Sequence, residues 1–418
     1  MILVRTYREL YGVPEFRVLF AAQCLAVGSS AVGSLALGTI TYAVTHNPVL
    51  TGLSMFGGPL VRLVASWFLI SASDLLRPRT ALGITAAVGC VADALQAIPG
   101  MPWWMRFVIL ALPWVAMSAT GGSALALVAD ILPPGSFVFG RATLNIAVGG
   151  MQIVGYGLAG LLLLELTTTD LFLVAAGASL IALVITVSGI RDHPPRATSD
   201  SAVRRAHAVN LALLGSRMLR PVFLAGWVPN GLVVGCESLF VPFAGRHAGY
   251  LYAATAAGML LGDVVIGRFT SDRTRDRLLE PLRFLLAIPY ILFLVHPSLE
   301  IGIPLGFAAS FGYAASLPLQ ERLVTYTDQG VRGQVLGLNS TGMMAMQGIG
   351  ALLAGLAAQH LGTGPSAAAT GIGVMGCASL TVTVLLIPGL RRTRLAAAHA
   401  AGAPAHQPQH GHIDSLVT

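Results

Sequence analysis

Long, continuous apolar stretches separated by short polar breaks make up almost the whole chain. These stretches do not alternate apolar and polar residues, which argues against a closed barrel and favours helices. A bilayer core of about 30 Å takes roughly 20 apolar residues as a helix, and this window predicts twelve spans. The predicted spans cover residues 17–44, 50–73, 80–99, 106–130, 142–165, 169–190, 221–245, 248–268, 282–297, 299–320, 335–360 and 367–389.

The composition agrees with a membrane protein. The chain has 418 residues, of which 55% are hydrophobic and only 10% are charged. Because a soluble domain carries about 25% charged residues, the missing polar surface must face lipid. The cysteines lie inside apolar stretches without a CxxC partner, and the histidines show no metal-ligand spacing. We therefore expect no metal, disulfide or cofactor.

Arginine positions predict the orientation. The chain has no lysine, so all 25 basic residues are arginine. With the N-terminus inside, 22 of them, Arg283 among them, fall on the inner side, whereas only Arg106 and Arg246 fall outside. Such a bias favours an even number of spans with both termini in the cytoplasm. It also explains the net charge of +7 without a nucleic-acid partner.

One long internal polar stretch, residues 191–220, divides the chain into two parts. We predict an N-terminal six-helix bundle over 1–190, a cytoplasmic linker over 191–220 and a C-terminal six-helix bundle over 221–390. The Ala-, His- and Pro-rich tail over 391–418 is expected to be disordered.

The two parts share a sequence repeat. The ten residues that start at Met151-Gln152 match the ten that start at Met346-Gln347 at six positions, at a shift of 195 residues. Asn145 pairs with Asn339 at a shift of 194. A duplicated six-helix unit joined by a basic cytoplasmic loop resembles the major facilitator superfamily. The resemblance implies an all-α membrane fold of two pseudo-symmetric six-helix bundles, with a substrate site between them and alternating access.

A family signature of Asp followed by basic residues lies between the second and third helices, and this chain carries degenerate copies of it in both parts. We expect the charged residues near each copy to form a cytoplasmic gate that latches one state. The alternative is solvated loop charges worth ~0–1 kcal/mol each. The expected gate residues are Asp74, Arg77, Arg79, Asp130 and Arg141 in the first part, and Asp272, Arg273, Glu321 and Arg332 in the second.

Four ionisable residues stand out well within predicted spans, where charge is costly and usually functional. They are Glu237, Asp263, Arg62 and Asp93. Buried carboxylates of this kind suit proton coupling. The alternatives are a structural ion pair for Arg62 and a position facing the outer headgroups for Asp93.

Uncharged polar residues within spans complete the expected cavity. They are Asn145, Gln152, Asn230, Asn339 and Gln347. Asn230 follows Pro229, which predicts a kink with freed backbone carbonyls. Hydrogen bonding between helices is the alternative role for these side chains.

The favoured function is a secondary transporter, most simply a proton-coupled exporter of a mostly apolar small molecule. The chain is expected to act as a monomer in the bacterial cytoplasmic membrane, with protons as coupling ion. Family exporters carry a Gly-Pro-x-x-Gly-Gly signature in the fifth helix, and residues 155–160 keep its glycines without its proline. Without lysine there is no Walker-type ATP site. The alternatives are an importer or uncoupled facilitator and, less favoured, a membrane enzyme or a transporter-like regulator.

Overall fold

Nearly all of the described chain is helical. The structure is a computed structural model, and it describes residues 7–69, 77–120, 123–133, 137–193, 200–327, 331–362 and 364–402. No strand occurs among these residues, as the apolar pattern predicts.

Nine helices of the described chain precede the central linker. They are α1 (Tyr7–Leu10), α2 (Pro14–Thr45), α3 (Pro48–Phe56), α4 (Gly58–Leu69), α5 (Pro78–Gln96), α6 (Trp103–Thr120), α7 (Ser123–Ile131), α8 (Phe137–Glu165) and α9 (Thr168–Gly189). A sharp bend of 61° separates α3 from α4 at Gly57. The start of α3 is fixed by Asn47, whose side chain accepts hydrogen bonds from Val49 N at 2.9 Å and Leu50 N at 3.2 Å.

Nine further helices follow in the rest of the described residues. They are α10 (Asp200–Gly215), α11 (Arg220–Ser238), α12 (Phe240–Ala244), α13 (Ala248–Phe269), α14 (Asp272–Ile291), α15 (Leu299–Phe311), α16 (Ser316–Thr325), α17 (Arg332–His360) and α18 (Gly364–Gly402). Short 3₁₀ turns extend α14 through Val295 and join α15 to α16. His296 in the left-handed region, at φ 52°, makes the turn between α14 and α15.

Eight segments of the described chain are long and apolar enough to cross a membrane, and nine if α3 and α4 form one bent span. One of these segments, Arg220–Phe269, has 50 residues and would measure roughly 75 Å at 1.5 Å per residue. It breaks at Gly245, where φ is +58°, so it accounts for two crossings. The total of twelve crossings stays a prediction.

Three predicted boundaries differ from the structure. The ninth span begins at Asp272 instead of residue 282, because arginines and acids occupy its first turns and depress the hydropathy there. The last helix continues to Gly402, so any disordered tail begins beyond that residue. The segment predicted as a linker contains α10.

The repeat is visible in two equal helices. Both α8 and α17 have 29 residues, and they begin 195 residues apart, which is the shift found in the sequence. Gln152 and Gln347 each lie fifteen residues after the first residue of their helix. The two glutamines therefore occupy equal depths, as the repeat predicts.

Buried apolar side chains of the described residues form three clusters. One cluster, around Phe16 and Leu127, joins N-terminal helices at their predicted cytoplasmic ends. A second, around Phe223 and Leu323, joins C-terminal helices at their predicted cytoplasmic ends. The third lies towards the predicted outer side and contains residues of both groups, from Leu35 of α2 onwards. The two groups of helices thus share one core on the predicted outer side and keep separate cores on the predicted cytoplasmic side, so the contact between them is closed on the predicted outer side.

Candidate functional site

Glycine lets α8 and α13 touch backbone to backbone on the outer side. A β-carbon on Gly160 would stand 2.7 Å from the carbonyl oxygen of Gly249, and one on Gly157 would stand 2.8 Å from Cβ of Ala256. No side chain fits at either distance. The glycine run that resembles an exporter signature therefore lies in the seam between the N-terminal and C-terminal helices.

A second seam joins α3 and α17 in the same way. A β-carbon on Gly52 would stand 3.0 Å from the carbonyl oxygen of Ala351, and one on Gly355 would stand 2.5 Å from Cα of Val49. The two seams, α8–α13 and α3–α17, pair one helix from each group. Together they close the space between the groups on the predicted outer side.

A continuous row of aromatic rings lies against this closure. Tyr156 of α8 stacks on Phe56 of α3 at 5.7 Å between centroids and on Tyr252 of α13 at 6.2 Å. Tyr252 in turn meets Phe240 edge to face at 5.2 Å, and Phe240 meets Tyr290 at 6.4 Å. Each such pair adds about 0.5–1.5 kcal/mol beyond area burial. The row links both groups of helices and was not anticipated as a unit from the sequence.

Glu237 lies beside this row. It is 8% exposed, and its carboxylate has no hydrogen bond or ion pair within the described part of the chain. Its backbone carbonyl accepts a hydrogen bond from the Tyr252 hydroxyl at 2.8 Å, and that hydroxyl also lies 3.7 Å from Sδ of Met55 in α3. An uncompensated carboxylate therefore lies at the junction of the two groups.

Asp263 is the second of the two acids in the C-terminal group that were singled out within predicted spans. One carboxylate oxygen is buried without a hydrogen-bond partner in the described residues. At 1.5 Å per residue, Asp263 lies roughly 9 Å from the inner end of α13, and Glu237 lies roughly 26 Å from the inner end of α11. Tyr313 is within electrostatic range of both carboxylates. The two acids thus occupy different depths of the C-terminal group.

The ionisable residues of the N-terminal group differ from each other. Arg62 is half-buried in α4 and has no ion pair within the described residues. Oδ2 of Asp93 accepts hydrogen bonds from Ser29 at 3.1 Å and Ser179 at 3.3 Å. These serines belong to α2 and α9, so Asp93 ties helices of one group together. The structure therefore does not support the alternative that the Asp93 side chain faces the outer headgroups.

The uncharged polar residues fall into two sets. Asn339 is 9% exposed and accepts hydrogen bonds from Trp227 Nε1 at 3.0 Å through both its backbone and side-chain oxygens. Asn230 is 6% exposed, and its Nδ2 has no partner in the described residues. Gln152 and Gln347 are half-buried. The side chain of Asn145 lies outside the part of the structure that is described.

The expected gate residues of the first part that the structure describes lie in separate places: beside Asp192, at the end of α7, and on α8. Arg77 forms an ion pair with Asp192 at the end of α9, and Arg79 lines a cavity of about 470 Å³ beside that pair. Asp130 is exposed at the end of α7. Asp74 lies outside the described residues.

Arg141 reaches the other group of helices. β-Carbons on Gly333 and Gly337 of α17 would stand 2.6 and 2.9 Å from its guanidinium nitrogens. Its Nε is buried without a hydrogen-bond partner among the described residues. Arg141 therefore makes a contact between the groups on the predicted cytoplasmic side.

The charges of the second part tie α14, α16 and α18 together. Glu321 pairs with Arg275, and Arg332 donates from Nε to the carbonyl oxygen of Thr327 at 3.2 Å. Arg273 is exposed, and the side chain of Asp272 is not described. Sequence reasoning did not single out Asp276, which pairs with Arg322 and with Arg394, or the pair of Glu280 with Arg391. Each of these ion pairs joins helices of the C-terminal group.

Two arginines are more buried than their positions in the sequence suggested. Arg106, assigned to the outer side, is 3% exposed and donates to Gln96 O at 2.7 Å, which fixes the hairpin of α5 and α6. Arg283, assigned to the cytoplasmic loops, is 2% exposed inside the C-terminal group. The available signal was Pro229, which frees the carbonyl of Ala225 four residues earlier. Nη1 of Arg283 donates to that carbonyl at 2.7 Å.

Comparison with known proteins agrees with this architecture. No family model matches the chain. Among curated proteins it is similar to enterobactin exporter EntS of Shigella boydii serotype 4, with 25% identity over 402 residues that cover 91% of this chain and 94% of the relative. The same exporter of Shigella flexneri is 24% identical over 91% of this chain and 93% of the relative.

Solved transporters share the fold. A POT family transporter in complex with a thioalcohol-conjugated peptide superposes with a TM-score of 0.66 at 12% identity, over 90% of this chain and 96% of that one. A bacterial homologue of the human lysosomal transporter Spinster, inward-facing and unoccupied, gives 0.65 at 14% identity, over 96% and 100%. A point mutant of nucleoside transporter NupG gives 0.66 at 13%, over 90% and 99%.

The fold and the paired helices define a multi-pass helical membrane protein of the transporter class. Its architecture is that of the solved transporters, as the sequence repeat predicts, and the curated proteins it is similar to are exporters.

Proposed function

We propose that this protein is a proton-coupled exporter of a mostly apolar small molecule that works by alternating access. The observation that carries the proposal is Glu237, a buried carboxylate without a partner among the described residues, placed where aromatic rings join the two groups of helices. A carboxylate costs several kcal/mol in a low-dielectric site. Protonation removes that cost, so proton binding and the closed outer seam favour each other.

Tyr313 and Asp263 extend the proposal into a route for protons. Glu237 lies near the outer closure and Asp263 near the cytoplasmic end, and Tyr313 is influenced by both charges. A proton taken up at Glu237 from the exterior would leave through Asp263 to the cytoplasm. Arg62, Asn230, Gln152, Gln347, Asn145 and Asn339 are the further residues that we propose face substrate, whereas Asp93 serves the N-terminal helices.

The nature of the relatives supports export. The curated relatives are named as exporters of enterobactin. We propose a mostly apolar cargo for this chain, carried out of a bacterial cell across its cytoplasmic membrane by a monomer. The two six-helix domains would rock about the α8–α13 and α3–α17 seams, with Arg141 and the charge clusters of each group as the cytoplasmic gate.

Proteoliposomes with an imposed pH gradient test the proposal. Uptake and efflux of a panel of dyes and antibiotics would be compared for the native chain and for Glu237→Gln, which keeps the size of the side chain and removes its charge. We expect gradient-driven movement in the native protein and its loss in Glu237→Gln.

Asp93→Asn is the matched control, because Asp93 is also an acid in a span but already accepts two hydroxyl hydrogen bonds. It should keep gradient-driven movement. Movement that ignores both the gradient and Glu237→Gln would contradict proton coupling and leave an importer or an uncoupled facilitator as the function.

A further inference from the structure

Arg283 is a buried cation without a counter-ion among the described residues. Its residue is 2% exposed in the middle of α14, and a guanidinium stays protonated at any physiological pH. It makes two hydrogen bonds, from Nη1 to Ala225 O at 2.7 Å and from Nη2 to Thr383 Oγ1 at 3.4 Å. Neither acceptor carries a charge, and no carboxylate of the described residues forms an ion pair with it. Burial of an unpaired charge costs several kcal/mol.

The hydrogen bonds do not account for a charged residue at this position. The carbonyl of Ala225 is free because Pro229 has no N–H to offer it. A neutral donor such as glutamine would satisfy that carbonyl without a buried charge. The positive charge therefore calls for an additional partner, which the described protein residues do not supply.

A small cavity lies beside Arg283. Its volume is about 30 Å³, which exceeds the roughly 10–15 Å³ that one water needs and suits a small polar group better than a whole substrate. The polar residues of its wall are uncharged apart from Arg283: Asn230, Tyr313, Ser316, Gln320 and Asn339. Two donors at this wall, Arg283 Nε and Asn230 Nδ2, are buried and have no hydrogen-bond partner among the described residues.

Orphan donors around a fixed positive charge, with no carboxylate in the wall, make an anion site. We propose that this cavity, lined by Arg283 and Asn230, binds an anionic group of the transported molecule, either a carboxylate or a phenolate. The inference rests on the proposed transport function and adds to it that the mostly apolar cargo carries one acidic group. Asn339 and Met343 of α17 form part of the wall, and α17 is the helix that packs against α3. Binding in the cavity would therefore affect the α3–α17 seam between the two groups of helices.

Binding to purified protein tests the site without transport. Equilibrium dialysis would measure radiolabelled benzoate and radiolabelled benzamide, which share a shape and differ in charge. We expect the native chain to bind benzoate and not benzamide. Arg283→Gln should bind benzoate about tenfold more weakly or worse, as expected for loss of a charge-assisted hydrogen bond, while Arg283→Lys should retain part of the affinity.

Two further variants separate charge from packing. Asn230→Asp places a carboxylate in the cavity wall next to Arg283 and should abolish benzoate binding by supplying an internal counter-ion. Thr383→Val removes an uncharged hydrogen-bond partner of Arg283 and should leave benzoate binding intact. Both variants test the proposed anion site even if Arg283→Gln fails to fold.

Chloride competition identifies the source of the anion. Chloride that displaces benzoate at equal concentration would assign the cavity to inorganic ions and overturn the proposal, as would equal binding of benzoate by the native chain and by a folded Arg283→Gln. Arg283-dependent benzoate binding in a protein that moves no compound in proteoliposomes would contradict the transport function and leave the anion site standing. Transport driven by the gradient with no preference for acids would contradict the anion site alone.

Discussion

The carbonyl oxygen of Gly249 lies 2.7 Å from the place where a β-carbon on Gly160 would stand. These two residues come from opposite groups of helices, so the outer closure depends on the absence of side chains at both. Small residues that let backbones approach are the usual adhesive between membrane helices.

Gly160→Ala should therefore open the outer seam. Overpacking of this kind costs about 1–3 kcal/mol, and the closed state bears that cost while the open state does not. A cysteine introduced at Ala253, in a chain with its native cysteines replaced, should react faster with an impermeant maleimide in the Gly160→Ala protein. Gly177→Ala is the control, because a β-carbon there meets nothing within 4 Å. Equal labelling of the two variants would contradict the assignment.

The charge cluster at Asp276 should contribute more stability than the exposed pair of Arg77 and Asp192. Asp276 binds Arg322, whose side chain is 9% exposed, whereas the side chains of the Arg77–Asp192 pair are 57% and 46% exposed. Asp276→Asn should cost about 1–3 kcal/mol, and Asp192→Asn less than about 1 kcal/mol. Thermal unfolding in detergent would compare the two, and a larger fall in melting temperature for Asp192→Asn would refute the ranking.

Asp93 should behave as a structural residue. Ser179→Ala removes one of the two hydroxyls that donate to its carboxylate and should lower stability by about 1 kcal/mol without changing gradient-driven transport. Melting temperature and proteoliposome transport would be measured on the same preparations. A loss of coupling with unchanged stability would move Asp93 from the N-terminal scaffold into the proton route.

Arg141 should hold the cytoplasmic ends of the two groups near each other. Arg141→Ala deletes its contact with Gly337, so spin labels at the exposed ends of α9 and α14, on Ser188 and Arg277, should report longer distances. Pulsed electron paramagnetic resonance would measure the distances between the two labels. Arg79→Ala removes an arginine away from the seam and serves as the control. A distance change in the control that matches the Arg141→Ala protein would show that the effect is not specific to the contact.

Local pattern was enough for much of the fold. Apolar run length located helices such as α9 to within a residue or two, because the thickness of the bilayer fixes how many apolar residues a crossing requires. The match at Gln152 and Gln347 predicted that the two glutamines lie at equal depth, since a duplicated sequence folds into a duplicated structure. The run length failed at α14, where paired and buried arginines interrupt the hydropathy of a helix that is nevertheless continuous.

The candidate site was likewise only partly predictable from the sequence. Glu237 and Asp263 stood out in the sequence because charge inside an apolar run is costly wherever the helix packs. Their surroundings were decided only by tertiary structure, as were the serines that bind Asp93 and the ion pair of Arg77 with Asp192. Arg283 is the clearest case, since its sequence neighbours made it look like a cytoplasmic loop residue. The length of an apolar run and the cost of burying a charge within it are properties of one segment. An interaction partner or a cavity, by contrast, exists only when distant segments pack together.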